Sequence, residues 1–298
     1  MRKISAHTII DVVAKLCIKA NTELRPDILG VLKRSFRCEP AGRAKRVLGV
    51  LIQNAAIAKR EGIALCQDTG IACVYLEIGQ DVRITGGSLE KAVNDGVRIG
   101  YRRGYFRNSV VDPISRKNTG TNTPAIIHTR LVKGDKVRIT VVPKGFGCEN
   151  KNALRLFHPT ADLEDIRQFI VDVVAQAGPD ACPPYIVGVG IGGTFEKAAA
   201  LSKEALLKTV ASPSTVLGMV RGVVSSSNHR QSPVAGPVSR LEKELLKEIN
   251  KLNIGPQGLG GKTTALAVHV LTYPTHIAGL PVAVSIGCHA MRSATRVI

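Results

Sequence analysis

The sequence has 298 residues, 44% of them hydrophobic, so the chain can bury a substantial core in one large or two small domains. No apolar run reaches the length of about 20 residues that a membrane-spanning helix needs, and Asp11 and Lys15 interrupt the apolar N-terminal stretch as in an amphipathic helix rather than a signal peptide. The net charge of +18 would suit nucleic-acid binding, but aromatic residues make up only 4% of the chain and no nucleic-acid-binding motif occurs. These features predict a soluble, cytoplasmic protein, and the charge could equally serve an anionic substrate or an acidic partner.

The cysteine content favours reduced thiols over disulfides. The seven cysteines are an odd number, scattered along a chain without secretory features. Some of them could therefore be metal ligands. Cys17 and Cys73 lie in apolar stretches and are predicted to be ordinary buried thiols.

In the first half of the chain, apolar residues at helical spacing predict helices over 8–20 and 41–60. A change to alternating and β-branched residues then predicts a strand over 70–79. Two further strands, 123–132 and 136–142, are predicted to form an antiparallel hairpin, because the three residues between them cannot make a parallel crossover.

In the second half, helices and strands alternate around one irregular segment. The Ser-, Pro- and Gly-rich stretch 210–240 is predicted to be a surface loop, partly mobile. The predicted elements are a helix over 162–176 with Asp162 as N-cap, a strand over 184–193, helices over 195–207 and 241–252, and strands over 265–272 and 281–287. The pattern predicts a mixed α/β or α+β fold with a central mixed or antiparallel sheet flanked by helical bundles.

Two glycine-rich motifs suggest nucleotide binding without completing it. Residues 188–193 satisfy G-x-G-x-x-G between a strand and a helix, but no strand ending in an acidic residue follows about twenty residues later. A tight turn with close strand–helix packing is the favoured interpretation. The G-G-K-T run at 260–263 lacks the first glycine of a P-loop, since Pro256 stands there.

Four short segments place chemically versatile residues at the ends of predicted strands. They are LCQDTG (65–70), PKGFGCEN (143–150), ACPPY (181–185) and YPTH (273–276), the last lying just before Cys288. Taken singly, each cysteine could be a buried thiol, each acid a turn cap and each histidine a hydrogen-bonded core residue.

Together and in order, CQDTG, K-G-x-G-x-E-N, CPPY ahead of GVGIGG, and IGPQGLGGKTTAL followed by PTH resemble the N-terminal part of class I fumarases. The resemblance is nearly collinear over 41–209 and 241–298. It implies the alpha subunit of a hydro-lyase of the fumarase or L(+)-tartrate dehydratase type, a single domain over 1–298. A beta subunit would supply the remaining substrate contacts, in an α2β2 heteromer.

The resemblance also implies a 4Fe-4S cluster held by Cys66, Cys182 and Cys288. Three thiolate ligands leave one iron open to act as a Lewis acid on a hydroxyl and a carboxylate. The spacing gives no independent support, because no short ferredoxin-type spacing occurs. Cys148 stands where the family usually has serine, and it is the main rival for a ligand position.

Removal of water from a 2-hydroxy diacid needs a base for the carbon-bound proton and activation of the departing hydroxyl. By resemblance, Asp68 is the acid–base group, and Gln67 contacts a substrate carboxylate. Arg107 clamps a carboxylate, which a guanidinium fork does well. Gly147 gives a backbone contact, and His276 orients the substrate or relays protons. The residues do not distinguish fumarate from tartrate.

Two other functions stay open at this point. The first is a basic nucleic-acid-binding or scaffold protein that kept the fold without the cluster, which the high net charge would suit. The second is a nicotinamide-dependent enzyme that uses the turn at 188–193.

Phe146 stands where the class I fumarases that the chain resembles have a glycine. Its side chain adds bulk beside the expected substrate loop.

Overall fold

The computed structural model describes residues 1–210 and 235–298, with side chains from 237 onward in the second range. The strands within these ranges are β1 (Arg2–Ser5), β2 (Ile71–Gly79), β3 (Val82–Thr85), β4 (Ile126–Val132), β5 (Val137–Lys144), β6 (Ala153–Phe157), β7 (Tyr185–Gly192), β8 (Ala265–Tyr273), β9 (Leu280–Gly287) and β10 (Ala294–Val297). The helices there are α1 (Ala6–Thr22), α2 (Pro26–Cys38), α3 (Arg43–Glu61), α4 (Leu89–Arg103), α5 (Phe146–Glu149), α6 (Leu163–Ala177), α7 (Phe195–Ala205) and α8 (Ala235–Lys251).

The mixed α/β class is confirmed, and the strands divide into two four-stranded sheets and one small pair. The first sheet has the order β10-β5-β2-β4 and the second the order β6-β9-β7-β8, while β1 pairs with β3. Parallel and antiparallel pairings occur in both four-stranded sheets. None of the described helices is long and apolar enough to cross a membrane.

The predicted hairpin of 123–132 with 136–142 is wrong, because β2 lies between the two strands. β2 pairs in parallel with β4 and antiparallel with β5. The connecting residues pass over the end of β2, where the Gly79 amide donates to the Lys136 carbonyl at 2.8 Å. Neighbouring strands lie about 4.8 Å apart, so a short connection can span the width of one intervening strand.

Helices α1 and α4 cover one face of the first sheet. Alternate residues of β2, such as Val74 and Leu76, point into the core that these helices close. The helices approach closely because α4 carries Gly96 and Gly100, where an added Cβ would come within 2.7 Å of Val13 and Cys17. The prediction that Cys17 and Cys73 are buried thiols is confirmed.

In the second sheet, glycines of the G-x-G-x-x-G run allow α7 to lie against β7. A Cβ at Gly188 or Gly190 would come within 2.1 Å of a carbonyl oxygen of α7. The intervening Val187 and Val189 point to the opposite face, into the core shared with α6 and α8. The run therefore permits close strand–helix packing, as predicted. The N-cap of α6 is also confirmed, since Asp162 Oδ1 accepts from the Asp165 amide at 2.8 Å.

A third apolar cluster joins the two sheets. Cys73 and Val142 of the first sheet and Ile186 of the second contribute to it, together with Leu206 and Met291. This contact brings the start of β2 and the end of β5 close to the start of β7 and the end of β9. The loop predicted at 210–240 lies mostly outside the described residues, and α8 begins at Ala235 rather than at 241.

Candidate active site

The topology brings Cys182 and Cys288 to the same end of the second sheet. Cys182 precedes β7 and Cys288 follows β9, and these antiparallel strands are paired through Ile186 and Gly287. The backbone amide of His289 donates to the Cys182 carbonyl at 3.3 Å, and its ring Nδ1 lies 3.0 Å from the same oxygen. Two cysteines more than a hundred residues apart in sequence therefore belong to one local structure.

The end of the first sheet supplies the other two thiols. Cys66 precedes β2, and Cys148 lies in the single-turn helix α5 that follows β5. The Cys148 thiol donates a 3.5 Å hydrogen bond to the carbonyl of Ala181, the residue before Cys182. Cys182 is exposed, Cys66 and Cys288 are partly exposed, and Cys148 is buried. All four thiols thus converge where the two sheets meet.

The convergence is visible in the electrostatics of the thiols. Burial and the nearby Cys288 and Cys66 raise the pKa of the Cys182 thiol. The nearby Cys148 side chain, helped by His289 and Arg292, holds the pKa of Cys288 well below its usual range. The nearby Cys288, together with burial, raises the pKa of Cys148. Of these two neighbouring thiols, Cys288 is therefore the one that loses its proton more easily.

Asp68 is held in place by residues next to the ends of β2 and β5 and by the segment between β9 and β10. Its Oδ1 accepts from the Gly70 amide at 2.9 Å and its Oδ2 from the Phe146 amide at 2.8 Å. The guanidinium of Arg292 donates to the Asp68 backbone carbonyl. Each carboxylate oxygen keeps a second lone pair, and the half-buried side chain is open to a bound molecule. Gly145 leaves no room for a side chain, because an added Cβ would come within 2.8 Å of Asp68 Oδ2.

The expected substrate-contact residues border the same region. Gln67 and Arg107 are exposed, and the Arg107 carbonyl accepts from the Thr69 hydroxyl at 2.9 Å, next to Asp68. Gly147 lies in α5 between Phe146 and Cys148. Phe146 is 50% exposed, so its ring stands at the rim and its amide still reaches Asp68.

Comparison with known proteins identifies the family. Residues 10–297 match the family model described as fumarate hydratase (Fumerase). The chain belongs to the fumarate hydratase family. It is 35% identical to a putative L(+)-tartrate dehydratase subunit alpha of Methanocaldococcus jannaschii, over 97% of this chain and 96% of that protein. It is 26% identical to the L(+)-tartrate dehydratase subunit alpha of Escherichia coli K12, over 99% of this chain and 92% of that protein.

One residue expected in the active site of this fumarate hydratase family member lies elsewhere. His276 follows β8, whose last residue Tyr273 pairs with Gly192 at the far end of β7 from Cys182. The side chain is exposed, and its Nδ1 accepts from the Ala278 amide at 3.1 Å. The structure therefore brings Cys66, Cys182, Cys288 and Asp68 together but leaves His276 at the other end of the sheet.

Two residues near the thiols were not identified as functional candidates from the sequence. Arg292 is buried and donates to the Asp68 carbonyl. Gln257 Nε2 donates to the Pro183 carbonyl at 2.9 Å and lies 3.1 Å from His289 Nδ1. The available signals were the C-H-A-M-R run that begins at Cys288 and the glutamine within IGPQGLGG. Neither pattern by itself indicates a role, because both depend on which strands end together.

A buried charge network lies next to the thiols. The Lys144 ammonium is 3.6 Å from Glu149 Oε2, and Lys203 of α7 binds the other carboxylate oxygen. Burial opposes ionisation of Glu149, but its contacts with Lys203 and Lys144 outweigh burial and lower its pKa. This network fixes α5, and with it Cys148 and the Phe146 amide.

The candidate metal ligands at this site are three thiols. Within residues 1–210 and 235–298, no three His, Cys, Asp or Glu side chains are arranged to hold one metal ion. The soft thiols of Cys66, Cys182 and Cys288 are donors that iron–sulfur clusters use. Because Cys288 and Cys66 raise the pKa of Cys182, a cation among the three would stabilise their thiolate charges.

Proposed function

We propose that this chain is the alpha subunit of an iron–sulfur hydro-lyase acting on a four-carbon 2-hydroxy dicarboxylate. The observation that carries the proposal is the convergence of Cys66, Cys182 and Cys288 beside the carboxylate of Asp68. L(+)-tartrate, dehydrated to oxaloacetate, is the first candidate substrate, because the relatives in M. jannaschii and E. coli are named for that reaction. Reversible hydration of fumarate to malate is the second, because the family model carries that description.

The three cysteines would hold a 4Fe-4S cluster and leave one iron without a protein ligand. Such a group supplies Lewis-acid activation of a hydroxyl and a carboxylate when it is bound. Cys148 would stay protonated, because its S–H donates to the Ala181 carbonyl and because the nearby Cys288 and burial raise its pKa. It would then be a neighbour of the cluster rather than a ligand.

The residues of this chain would orient the diacid and move a proton. Asp68, fixed by two backbone amides, would take the carbon-bound proton during dehydration and return it during hydration. Arg107 and Gln67 are exposed at the rim, where they would bind a substrate carboxylate. The Gly147 backbone would add a contact beside Cys148. The expected role of His276 has no support in this chain, because the residue lies at the other end of the second sheet from the thiols.

The proposal is tested by anaerobic co-expression with the beta subunit of the same organism, followed by iron and sulfide analysis and a hydro-lyase assay. We expect about four iron and four sulfide per alpha chain if the cluster is of the 4Fe-4S type. We also expect turnover of L(+)-tartrate or of fumarate and malate, lost on exposure to air. A complex that contains the cluster but acts on neither substrate would exclude both candidate reactions. A complex that never binds iron would exclude the cluster.

A further inference from the structure

The segment 98–117 forms a strongly basic surface next to the candidate active site. It contains six basic residues and a single acidic one, Asp112. Arg98 is paired with Asp95. Within the part of the chain that the structure describes, no ion pair is formed by the remaining basic residues of the segment, Arg102, Arg103, Arg107, Arg116 and Lys117. The segment therefore carries five basic side chains without an ion-pair partner among the described residues, against the single carboxylate of Asp112.

The first half of this surface is a concavity at the end of α4. Its volume is about 490 Å³, and it is lined by Arg98, Ile99, Arg102, Arg103 and Tyr105. Tyr105 is 97% exposed and has a left-handed backbone with φ of 53°. Its amide donates to the Arg102 carbonyl at 3.2 Å, so the turn that presents the ring is held in place. An aromatic ring beside arginines is the composition of a protein-binding surface rather than of a solvated helix end.

The second half, residues 108–117, is an ordered surface loop, called the excursion below. Almost none of its side chains are buried. Asp112 Oδ1 accepts from the backbone amides of Ile114 and Ser115, at 3.1 and 2.7 Å, and from the Ser115 hydroxyl. Val111 pairs with Asn118 across the excursion. At its tip Ile114 is 90% exposed. A segment that uses its hydrogen bonds to hold its own shape, and presents an apolar tip between cations, is preorganised for a partner.

The surface is continuous with the thiol site. Arg107 lies between its two halves, and its carbonyl accepts from the hydroxyl of Thr69, the neighbour of Asp68. Asn122 is fully buried and joins the far end of the excursion to the start of β2. Its Oδ1 accepts from the Ser109 amide at 2.7 Å, and its Nδ2 donates to the Gly70 carbonyl at 3.0 Å. A partner seated on 98–117 would therefore cover the approach to Asp68.

From these observations we propose that 98–117 is the docking surface for an acidic face of the complementary beta subunit. This inference rests on the proposed function, in which the chain is the alpha subunit of an enzyme with a separate beta subunit. Arg102, Arg103 and Tyr105 would meet carboxylates and an apolar patch of the partner, and Ile114 would insert into it. Docking here would enclose Arg107 with the substrate, which strengthens its contact with a carboxylate by excluding water.

The test measures the dissociation constant between the full-length chain and the beta subunit of the same organism. Both proteins are cluster-free, so the result does not depend on iron or turnover. We expect Arg102→Glu/Arg103→Glu to weaken binding by about tenfold or more, through lost attraction and new repulsion. Raising the salt concentration should weaken the wild-type complex more than the variant complex. Ile114→Asn, which adds no charge, should weaken binding by a factor that does not change with salt.

The matched control is Lys243→Glu/Lys247→Glu, which reverses two exposed charges four residues apart on α8. It should leave the dissociation constant within about twofold, since surface charges far from an interface contribute little. Equal weakening by both double variants, or no complex with the wild-type chain, would overturn the proposal. So would binding of a single-stranded DNA oligonucleotide that depends on Arg102 and Arg103 while the affinity for the beta subunit does not. A failed hydro-lyase assay with intact, charge-dependent binding would instead count against the proposed reaction alone.

Discussion

The ammonium of Lys144 donates a 2.5 Å hydrogen bond to the carbonyl of Ile286, and so joins the last residue of β5 to a strand of the other sheet. Asn152 Oδ1 accepts from the amide of the same residue at 2.8 Å. β9 pairs with β6 as far as Val284 and Ala153. Beyond that pair, the side chains of Lys144 and Asn152 bond to the backbone of β9 instead. Ile286 lies two residues before Cys288. The two side chains therefore hold the strand end that presents this thiol.

We expect Lys144→Met to destabilise the chain by about 2–4 kcal/mol, because it removes a charged hydrogen-bond donor and leaves buried acceptors unpaired. Urea unfolding of the cluster-free chain measures the loss. Lys151→Met is the matched control, because it removes a lysine that pairs with the largely exposed Asp180. A surface ion pair of this kind contributes about 0–1 kcal/mol. If both variants lost the same free energy of unfolding, the contact of Lys144 with Ile286 would contribute no more than a surface ion pair.

We expect Cys66→Ser, Cys182→Ser and Cys288→Ser each to abolish cluster assembly, because serine is a poor ligand for the iron of such clusters. Iron and sulfide analysis after anaerobic reconstitution measures this. Cys38→Ser is the control at an exposed thiol. Cys148→Ser should retain the cluster. If Cys148→Ser lost the cluster and Cys288→Ser kept it, the ligand assignment would pass to Cys148.

We expect Asp68→Asn to retain iron and sulfide but to lower kcat by about 100-fold or more, as removal of a general acid–base group does. The amide has the same shape, and its oxygen can still accept one of the two backbone hydrogen bonds. Steady-state kinetics of the complex with the beta subunit measure the effect. Asp135→Asn, in the exposed turn between β4 and β5, is the control for loss of a carboxylate. Turnover within a few-fold of wild type would remove Asp68 from the proposed role.

We expect the stability of the chain to fall as the pH is lowered from about 6.5 toward 4, in part because of His269. Burial, and then Lys208, lowers the pKa of His269 to about 4, so the folded chain resists protonation that the unfolded chain accepts near pH 6.5. Since the unfolded state binds more protons between these values, stability rises with pH across this window. The contribution is at most about 3 kcal/mol.

The pH dependence of the melting temperature of His269→Gln tests this expectation. The variant should show a shallower loss of stability between pH 6.5 and pH 4 than the wild type. His7→Gln, at an exposed histidine, should follow the wild-type curve. Parallel curves for all three proteins would show that the buried imidazole does not contribute.

The sequence by itself was sufficient for part of the local structure, although no prediction covered α2 or α4. Apolar spacing located α1 and α3, and the Asp162 cap located the start of α6, because these depend on contacts within a few residues. The glycines at 188 and 190 indicated close packing, since only a missing side chain allows α7 to approach β7. The order of short motifs also gave the family, which the comparisons confirm.

Only the tertiary structure decided which distant residues meet. The short connection after β4 was compatible with a hairpin between β4 and β5. Instead β2 lies between these two strands, because the centre of the sheet offers it greater burial. The convergence of Cys66, Cys148, Cys182 and Cys288 follows from two sheets that meet at one end, and local propensity cannot specify such a long-range pairing. His276 lies at the opposite end for the same reason, because the direction of β8 carries it away from the thiols.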